Sequence, residues 1–110
     1  MTTNNSHEIL AALSDAVEGG RPAVLATIVS TERSVPRHAG AKMVVFPDGT
    51  TIGTIGGGEV EARVRDEGLS MFGERRPRLY RYTLNDPEHG DPGVCGGTMT
   101  IYLEPYMTPP

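Results

Sequence analysis

A run of glycines in the middle of the chain is the segment whose residue types most directly suggest chemistry. Residues 53–58 (GTIGGG) join an apolar stretch to a segment with helical spacing. The start of a helix leaves backbone N–H groups unpaired, and glycines let such groups approach a phosphate closely. The run matches neither the dinucleotide-binding fingerprint nor the Walker A pattern. It therefore predicts either an anion cradle at Gly56, Gly57 and Gly58 or a tight turn that needs glycine only for space.

A basic loop, residues 33–42 (RSVPRHAGAK), is the second candidate. Its proline disfavours helix in the preceding residue and stiffens the segment. Arg33, Arg37 and Lys42 place guanidinium and ammonium donors around Ser34, and such donors suit an anionic ligand. A charged loop is equally compatible with simple solvation, so the loop by itself leaves both interpretations open.

The third candidate is Cys95-Gly96-Gly97. A thiol among glycines can be activated by neighbouring N–H groups, but it can also be a small residue buried at a turn. Because Cys95 is the only cysteine, an intrachain disulfide and a multi-cysteine zinc site within one chain are excluded. The three histidines show no ligand spacing and the acidic residues 86–91 are typical of a solvated loop, so we predict no metal site.

Length and charge limit the class of protein. The chain has 110 residues, the size of one ordinary domain, and a net charge of −4. That charge argues against nonspecific nucleic-acid binding, which needs a cationic surface. The N-terminus lacks the basic and apolar regions of a signal peptide, and no apolar stretch is long enough for a bilayer. We therefore expect a cytoplasmic protein that contacts neither nucleic acid nor membrane.

Local patterns predict the elements that must position these segments. Ser6 is a plausible N-cap for a helix that ends at Gly19-Gly20, and residues 23–29 form an apolar strand covered on both faces. After a loop at 31–40, strands 42–46 and 50–55 form a hairpin around Pro47-Asp48-Gly49. The apolar residues of the first helix are Ile9, Leu10, Leu13 and Val17.

The second half of the chain is predicted to contain one helix and two strands. Residues 59–72 have helical spacing, with i,i+4 pairs Glu59–Arg63 and Glu61–Arg65. Strands follow at 78–83 and 98–104, separated by a long loop. The fold class is mixed α/β, a single small domain with a mixed or antiparallel sheet and two main helices packed on it.

Three motifs taken together resemble a known family. RSVPRHAGAKMVV, DGTTIGTIGGGEVE and VCGGTMTIYLEP occur in the order found in the N-terminal domain of the XdhC/CoxI family, accessory factors of molybdenum hydroxylases. The resemblance spans about Ala23 to Glu104 and implies one XdhC/CoxI-like domain over residues 1–110, with its core at about 7–104. Typical members continue into a Rossmann-like domain, which this sequence lacks. A partner subunit that supplies such a domain is therefore one expectation.

The resemblance implies a chaperone that binds the molybdenum cofactor transiently in its molybdopterin form. Such a protein would assist sulfuration with a cysteine desulfurase and deliver the cofactor to an apo hydroxylase of the xanthine dehydrogenase or CO dehydrogenase type. The cofactor has a terminal phosphate, a pterin and a dithiolene-bound metal. The implied binding residues are Arg33, Ser34, Arg37, Lys42, Gly56, Gly57, Gly58, Glu61, Cys95, Gly96 and Gly97.

Several alternatives stay open at this stage. Glu61 would either accept from a pterin N–H or cap and pair within its own helix. Many relatives have Cys where this chain has Glu59, which would remove that thiol from metal handling. Cys95 could instead be the catalytic residue of a thiol-dependent sulfur-transfer enzyme. A non-catalytic assembly module is the third possibility, and a homodimer is compatible with each of them.

Overall fold

The protein folds as one antiparallel sheet between two helices. A computed structural model describes residues 5–33, 35, 37–83 and 97–107. In chain order its elements are α1 (Ser6–Glu18), β1 (Ala23–Glu32), β2 (Lys42–Val45), β3 (Thr51–Gly53), α2 (Gly58–Ser70), β4 (Arg78–Thr83) and β5 (Thr98–Tyr106). The sheet has five strands in the order β3-β2-β1-β5-β4, and every neighbouring pair is antiparallel. The predicted fold class is confirmed, and the sheet is the antiparallel alternative.

The central strand β1 is apolar because a helix covers each face of it. Val24, Ala26 and Ile28 pack in the cluster with α2, whereas Ala23 and Leu25 pack in the cluster with α1. The strand continues to Glu32, beyond the predicted end at residue 29, since β5 supplies a partner for residues 30–32. The predicted loop therefore starts two residues later than the sequence indicates.

Helix α1 presents a narrower apolar face than the sequence predicts. Ile9, Leu13 and Ala16 are buried against the sheet. Leu10 and Val17, which the spacing places on the same face, are 43% and 40% exposed. The N-cap is also shifted by one residue, because the Asn5 side chain accepts from the His7 and Glu8 backbone amides, at 2.9 and 3.4 Å. Asn and Ser are comparable N-caps, so residue preference alone does not decide between Asn5 and the predicted Ser6.

Helix α2 packs closely on the opposite face. Val60, Val64 and Met71 are buried on this face. At Gly68 the helix approaches the sheet, since a Cβ built there would lie 3.4 Å from Val45 Cβ. The C-terminal end is tied to β4 by Arg78, which donates to Glu67 at 2.7 Å and to Glu74 at 2.9 Å. An alanine Cβ at this position would therefore be in ordinary van der Waals contact with the sheet.

The hairpin of β2 and β3 forms around the predicted turn. Asp48 accepts from the Thr50 hydroxyl at 2.6 Å and from its amide at 3.0 Å, and these hydrogen bonds hold the pKa of Asp48 below its usual value. β3 ends at Gly53 instead of residue 55, because the φ of +88° at Gly53 turns the chain out of the strand. Across the described ranges, none of the helices is both long and apolar enough to cross a bilayer.

Candidate functional site

Sheet topology brings described parts of the three candidate segments to one end of the sheet. β1 ends at Glu32, β3 at Gly53 and β4 at Thr83, whereas β2 begins at Lys42 and β5 at Thr98. Since all neighbours are antiparallel, these five termini share one end of the sheet. The described residues of the basic loop, the glycine turn (residues 54–58) and Gly97 directly before β5 therefore adjoin that end of the sheet.

Register staggers these segments along β1. Lys42 opposes Thr27, whereas Thr98 opposes Glu32. Five residues of strand at about 3.4 Å each separate the two levels by ~17 Å, somewhat less across the β-bulge between Ile28 and Ser30. The site is therefore elongated, with Lys42 at one level and the start of β5 at the other.

A cavity lies at the Lys42 level. It has a volume of about 430 Å³, within the roughly 300–1,000 Å³ of small-molecule sites. Lys42 Nζ donates to the Gly40 carbonyl at 2.9 Å, which holds the ammonium over the loop and uses one of its three N–H donors. Two cationic side chains thus face a space of ligand size. The lining residues are Ser6, Arg37, His38, Ala39, Gly40, Ala41, Lys42 and Thr54.

The glycine turn owes its composition to backbone conformation. Gly56, Gly57 and Gly58 have φ values of +134°, +73° and +61°, which L side chains rarely adopt. A Cβ built at Gly57 or Gly58 would meet no atom within 4 Å, so space is not the reason for glycine at these two positions. Within the described part of the chain, no side chain caps the start of α2. This geometry is compatible with an anion held by the first amides of the helix.

Two amides of the turn are hydrogen-bonded within the protein. The Gly56 N–H donates to Thr54 Oγ1 at 3.1 Å, and the Ile55 N–H donates to Glu61 Oε1 at 3.3 Å. Of the three predicted cradle amides, those of Gly57 and Gly58 are therefore the better placed donors. Sequence analysis did not identify Thr54 as a site residue. A signal for it in the sequence was Glu61, a carboxylate in the first turn of a helix that follows a run of glycines.

Glu61 does not form the predicted ion pair with Arg65. Its carboxylate accepts from the Thr54 hydroxyl at 2.6 Å, and Arg65 instead lies 4.0 Å from Asp66. Glu59 does form the predicted pair, with Arg63 Nη2 at 3.2 Å. Both carboxylates in the first turn of α2 are thus directed to protein partners, which lessens their repulsion of an anion.

Tyr82 on β4 lies beside the start of α2. Burial raises the pKa of its phenol, and the negative charge of Glu59 raises that pKa further. Tyr82 opposes Met99 on β5, so β4 and β5 approach this end of α2. The start of the helix is therefore next to the end of the sheet where described parts of the candidate segments lie.

Of the remaining predicted site residues, some lie within the described ranges and others lie outside them. Arg33 is exposed and, with a φ of +65°, has a left-handed backbone at the end of β1. Gly97 is buried directly before β5. Ser34, Cys95, Gly96 and the acidic residues at 86–91 lie outside the described residues. In the described ranges, no group of three His, Cys, Asp or Glu side chains could hold a metal ion.

Comparison with known proteins decides the family. A model of the XdhC and CoxI family matches residues 16–83. The chain belongs to this family. The resemblance predicted from its three motifs is thereby confirmed, and the matched segment includes the basic loop, the glycine turn and α2.

Three relatives extend this finding. The molybdenum cofactor insertion chaperone PaoD of Escherichia coli K12 is 38% identical over 101 residues, which are 92% of this chain and 32% of PaoD. A probable subunit of xanthine dehydrogenase from Bacillus subtilis 168 is 34% identical over 91% of this chain and 30% of its own length. The uncharacterized protein YqeB of E. coli K12 is 41% identical over 74% of this chain and 15% of YqeB.

A crystal structure shows the same fold. This structure, of a xanthine dehydrogenase from Bacillus halodurans, matches with a TM-score of 0.72 and 33% identity, over 86% of this chain and 29% of that one. The chain thus spans under a third of the length of each of these relatives.

Proposed function

We propose that this protein binds the molybdenum cofactor and assists its insertion into a molybdenum hydroxylase of the xanthine dehydrogenase type. The observation that carries the proposal is the cavity of about 430 Å³ lined by Arg37, Lys42 and Thr54, next to a glycine turn that opens a helix. The relative named as an insertion chaperone for this cofactor matches 92% of the chain, which supports the same role here.

The proposed binding mode follows the elongated shape of the site. Arg37 and Lys42, with the amides of Gly57 and Gly58, would hold the terminal phosphate, because guanidinium, ammonium and helix-start N–H groups all favour an anion. The opposite end of the ligand would lie toward Arg33 and Gly97.

Finer features of the proposal concern the partners. Following the resemblance, we propose transient binding of the molybdopterin form, sulfuration with a cysteine desulfurase, and delivery to xanthine dehydrogenase-type or CO dehydrogenase-type apo enzymes. A single-domain protein, a cytoplasmic location, a Rossmann-domain partner and a homodimer remain predictions. The sulfur-transfer alternative depends on Cys95, which lies outside the described residues, and no contact among the described residues favours it.

Bound pterin is the direct test. The chain is purified anaerobically from a host that makes the cofactor, oxidised, and assayed for fluorescent pterin. We expect near-stoichiometric pterin in the parent and in Arg65→Ala, an exposed arginine away from the cavity, and its loss in Arg37→Ala/Lys42→Ala. Equal pterin in both variants, or no pterin in the parent, would contradict the proposal.

A second arm separates the carrier from the enzyme. Cys95→Ala is compared with the parent for pterin content and for activation of apo xanthine dehydrogenase. A carrier should activate the apo enzyme in proportion to the pterin that it still holds. Pterin retained with activation lost, together with rapid alkylation of Cys95 near neutral pH, would favour sulfur transfer.

A further inference from the structure

Thr54 joins the cavity to the glycine turn. It lines the cavity and is a buried polar residue, with 6% of its surface exposed. Its hydroxyl donates to Glu61 Oε1 at 2.6 Å and accepts from the Gly56 N–H at 3.1 Å. The Thr54 hydroxyl thus links the beginning of the glycine turn to Glu61 in the first turn of α2.

Glu61 holds the same turn from its other side. One oxygen of its carboxylate accepts both the Thr54 hydroxyl and the Ile55 N–H, at 2.6 and 3.3 Å. Hydrogen bonds to an ionised acceptor are stronger than neutral ones, and a buried donor left without its acceptor is costly. The two side chains therefore determine the backbone conformation of residues 54–56 at the wall of the cavity.

We infer that Thr54 and Glu61 are a positioning pair, which fixes the glycine turn against the cavity and so sets the affinity for the bound ligand. The inference rests on the proposed function, because it takes the cavity as the cofactor site. It assigns Glu61 to the turn instead of the pterin, since its carboxylate accepts hydrogen bonds from residues 54 and 55. Without the pair, the turn would sample other conformations and the ligand would have to order it on binding.

Four variants of the full chain test the pair. Thr54→Val removes the hydroxyl at nearly constant shape, and Thr54→Ser keeps it. Glu61→Gln weakens the acceptor. Glu67→Gln is the matched control, because it changes the same residue type at the opposite end of α2, where Glu67 binds Arg78 at 2.7 Å.

Two readouts keep the outcomes distinct. In Thr54→Val we expect exchange of the Gly56 amide to become about tenfold faster relative to other sheet amides, with at least a matching loss of pterin affinity. Glu61→Gln should show a smaller change in the same direction. Thr54→Ser should restore both quantities, and Glu67→Gln should lower stability while leaving both at parent values.

Results that contradict this inference can be distinguished from results that contradict the proposed function. Faster Gly56 exchange with unchanged pterin affinity would overturn the positioning role while the proposed function stands. Parent-like exchange in Thr54→Val, or failure of Thr54→Ser to rescue, would overturn the pair itself. If the parent binds no pterin, the proposed function fails and the inferred effect on ligand affinity fails with it; exchange would then report only the hydrogen bonds.

Discussion

The two helices begin beside the same cavity but begin differently. Ser6, the first residue of α1, and Thr54, just ahead of α2, both line it. α1 starts from Asn5 in extended backbone, φ −84° and ψ 111°, and the Asn5 side chain accepts two of the first amides. α2 starts from Gly57 at φ 73° and ψ −174°, with no capping side chain among the described residues.

The difference separates a helix start built for stability from one suited to a ligand. A side-chain cap satisfies the first amides and leaves less for an anion to gain. At α2 the polar side chains Thr54 and Glu61 instead hold the residues before the helix. The amides of Gly57 and Gly58 are therefore the backbone donors that we propose for the phosphate.

Gly53→Ala should have the largest effect, because this glycine packs closely against both α1 and β2. Its Cβ would lie 2.5 Å from the Lys42 carbonyl oxygen and 2.8 Å from Ile9 Cδ1 of α1, at a φ of +88°. We expect a loss of about 3 kcal/mol or more in the free energy of unfolding, measured by urea denaturation. A loss below about 1 kcal/mol would show that the backbone can relax around the new methyl group.

Gly57→Ala sharpens the comparison at α2 itself. No atom lies within 4 Å of the added Cβ, so the cost comes from backbone conformation alone. We expect a loss of about 1–3 kcal/mol, with pterin binding reduced by more than the stability loss explains. Thermal unfolding and pterin content measure the two effects, and unchanged pterin in folded protein would place the anion elsewhere.

Asn5→Ala tests the capped start. It should cost about 1 kcal/mol, because the His7 and Glu8 amides lose their acceptor. Pterin binding should stay at the parent level, in contrast to Gly57→Ala. Urea denaturation beside the pterin assay checks both statements, and a strong loss of pterin would mean that the two helix starts do not differ in function.

Glu59→Gln should have the smallest effect. The Glu59–Arg63 pair at 3.2 Å joins half-exposed side chains, so we expect a change of about 0.3–0.5 kcal/mol in stability, lessened by salt. Removing a carboxylate from the start of α2 should also slightly strengthen anion binding. Phosphate titration at low and high salt tests this, and weaker binding would indicate that Glu59 contacts the ligand.

Local pattern predicted most of the elements. The β2–β3 hairpin follows from its turn residues, and the strand predicted at residues 98–104 is β5. Predictions failed where two local solutions were nearly equal. Asn5 and Ser6 are comparable caps, and the predicted apolar face of α1 was too wide because spacing alone does not tell where a sheet ends.

Sequence by itself determined the family, the mixed α/β class and the three segments that carry its motifs. Only the tertiary structure decided which strand ends lie together, because the pairing of β1 with β5 joins residues far apart in the chain and leaves no mark on local periodicity. The stagger along β1 and the hydrogen bonds of Thr54 and Glu61 are likewise decided only by the tertiary structure. These features depend on the order of the strands in the sheet. That order is determined by the burial of both sheet faces, one against α1 and the other against α2.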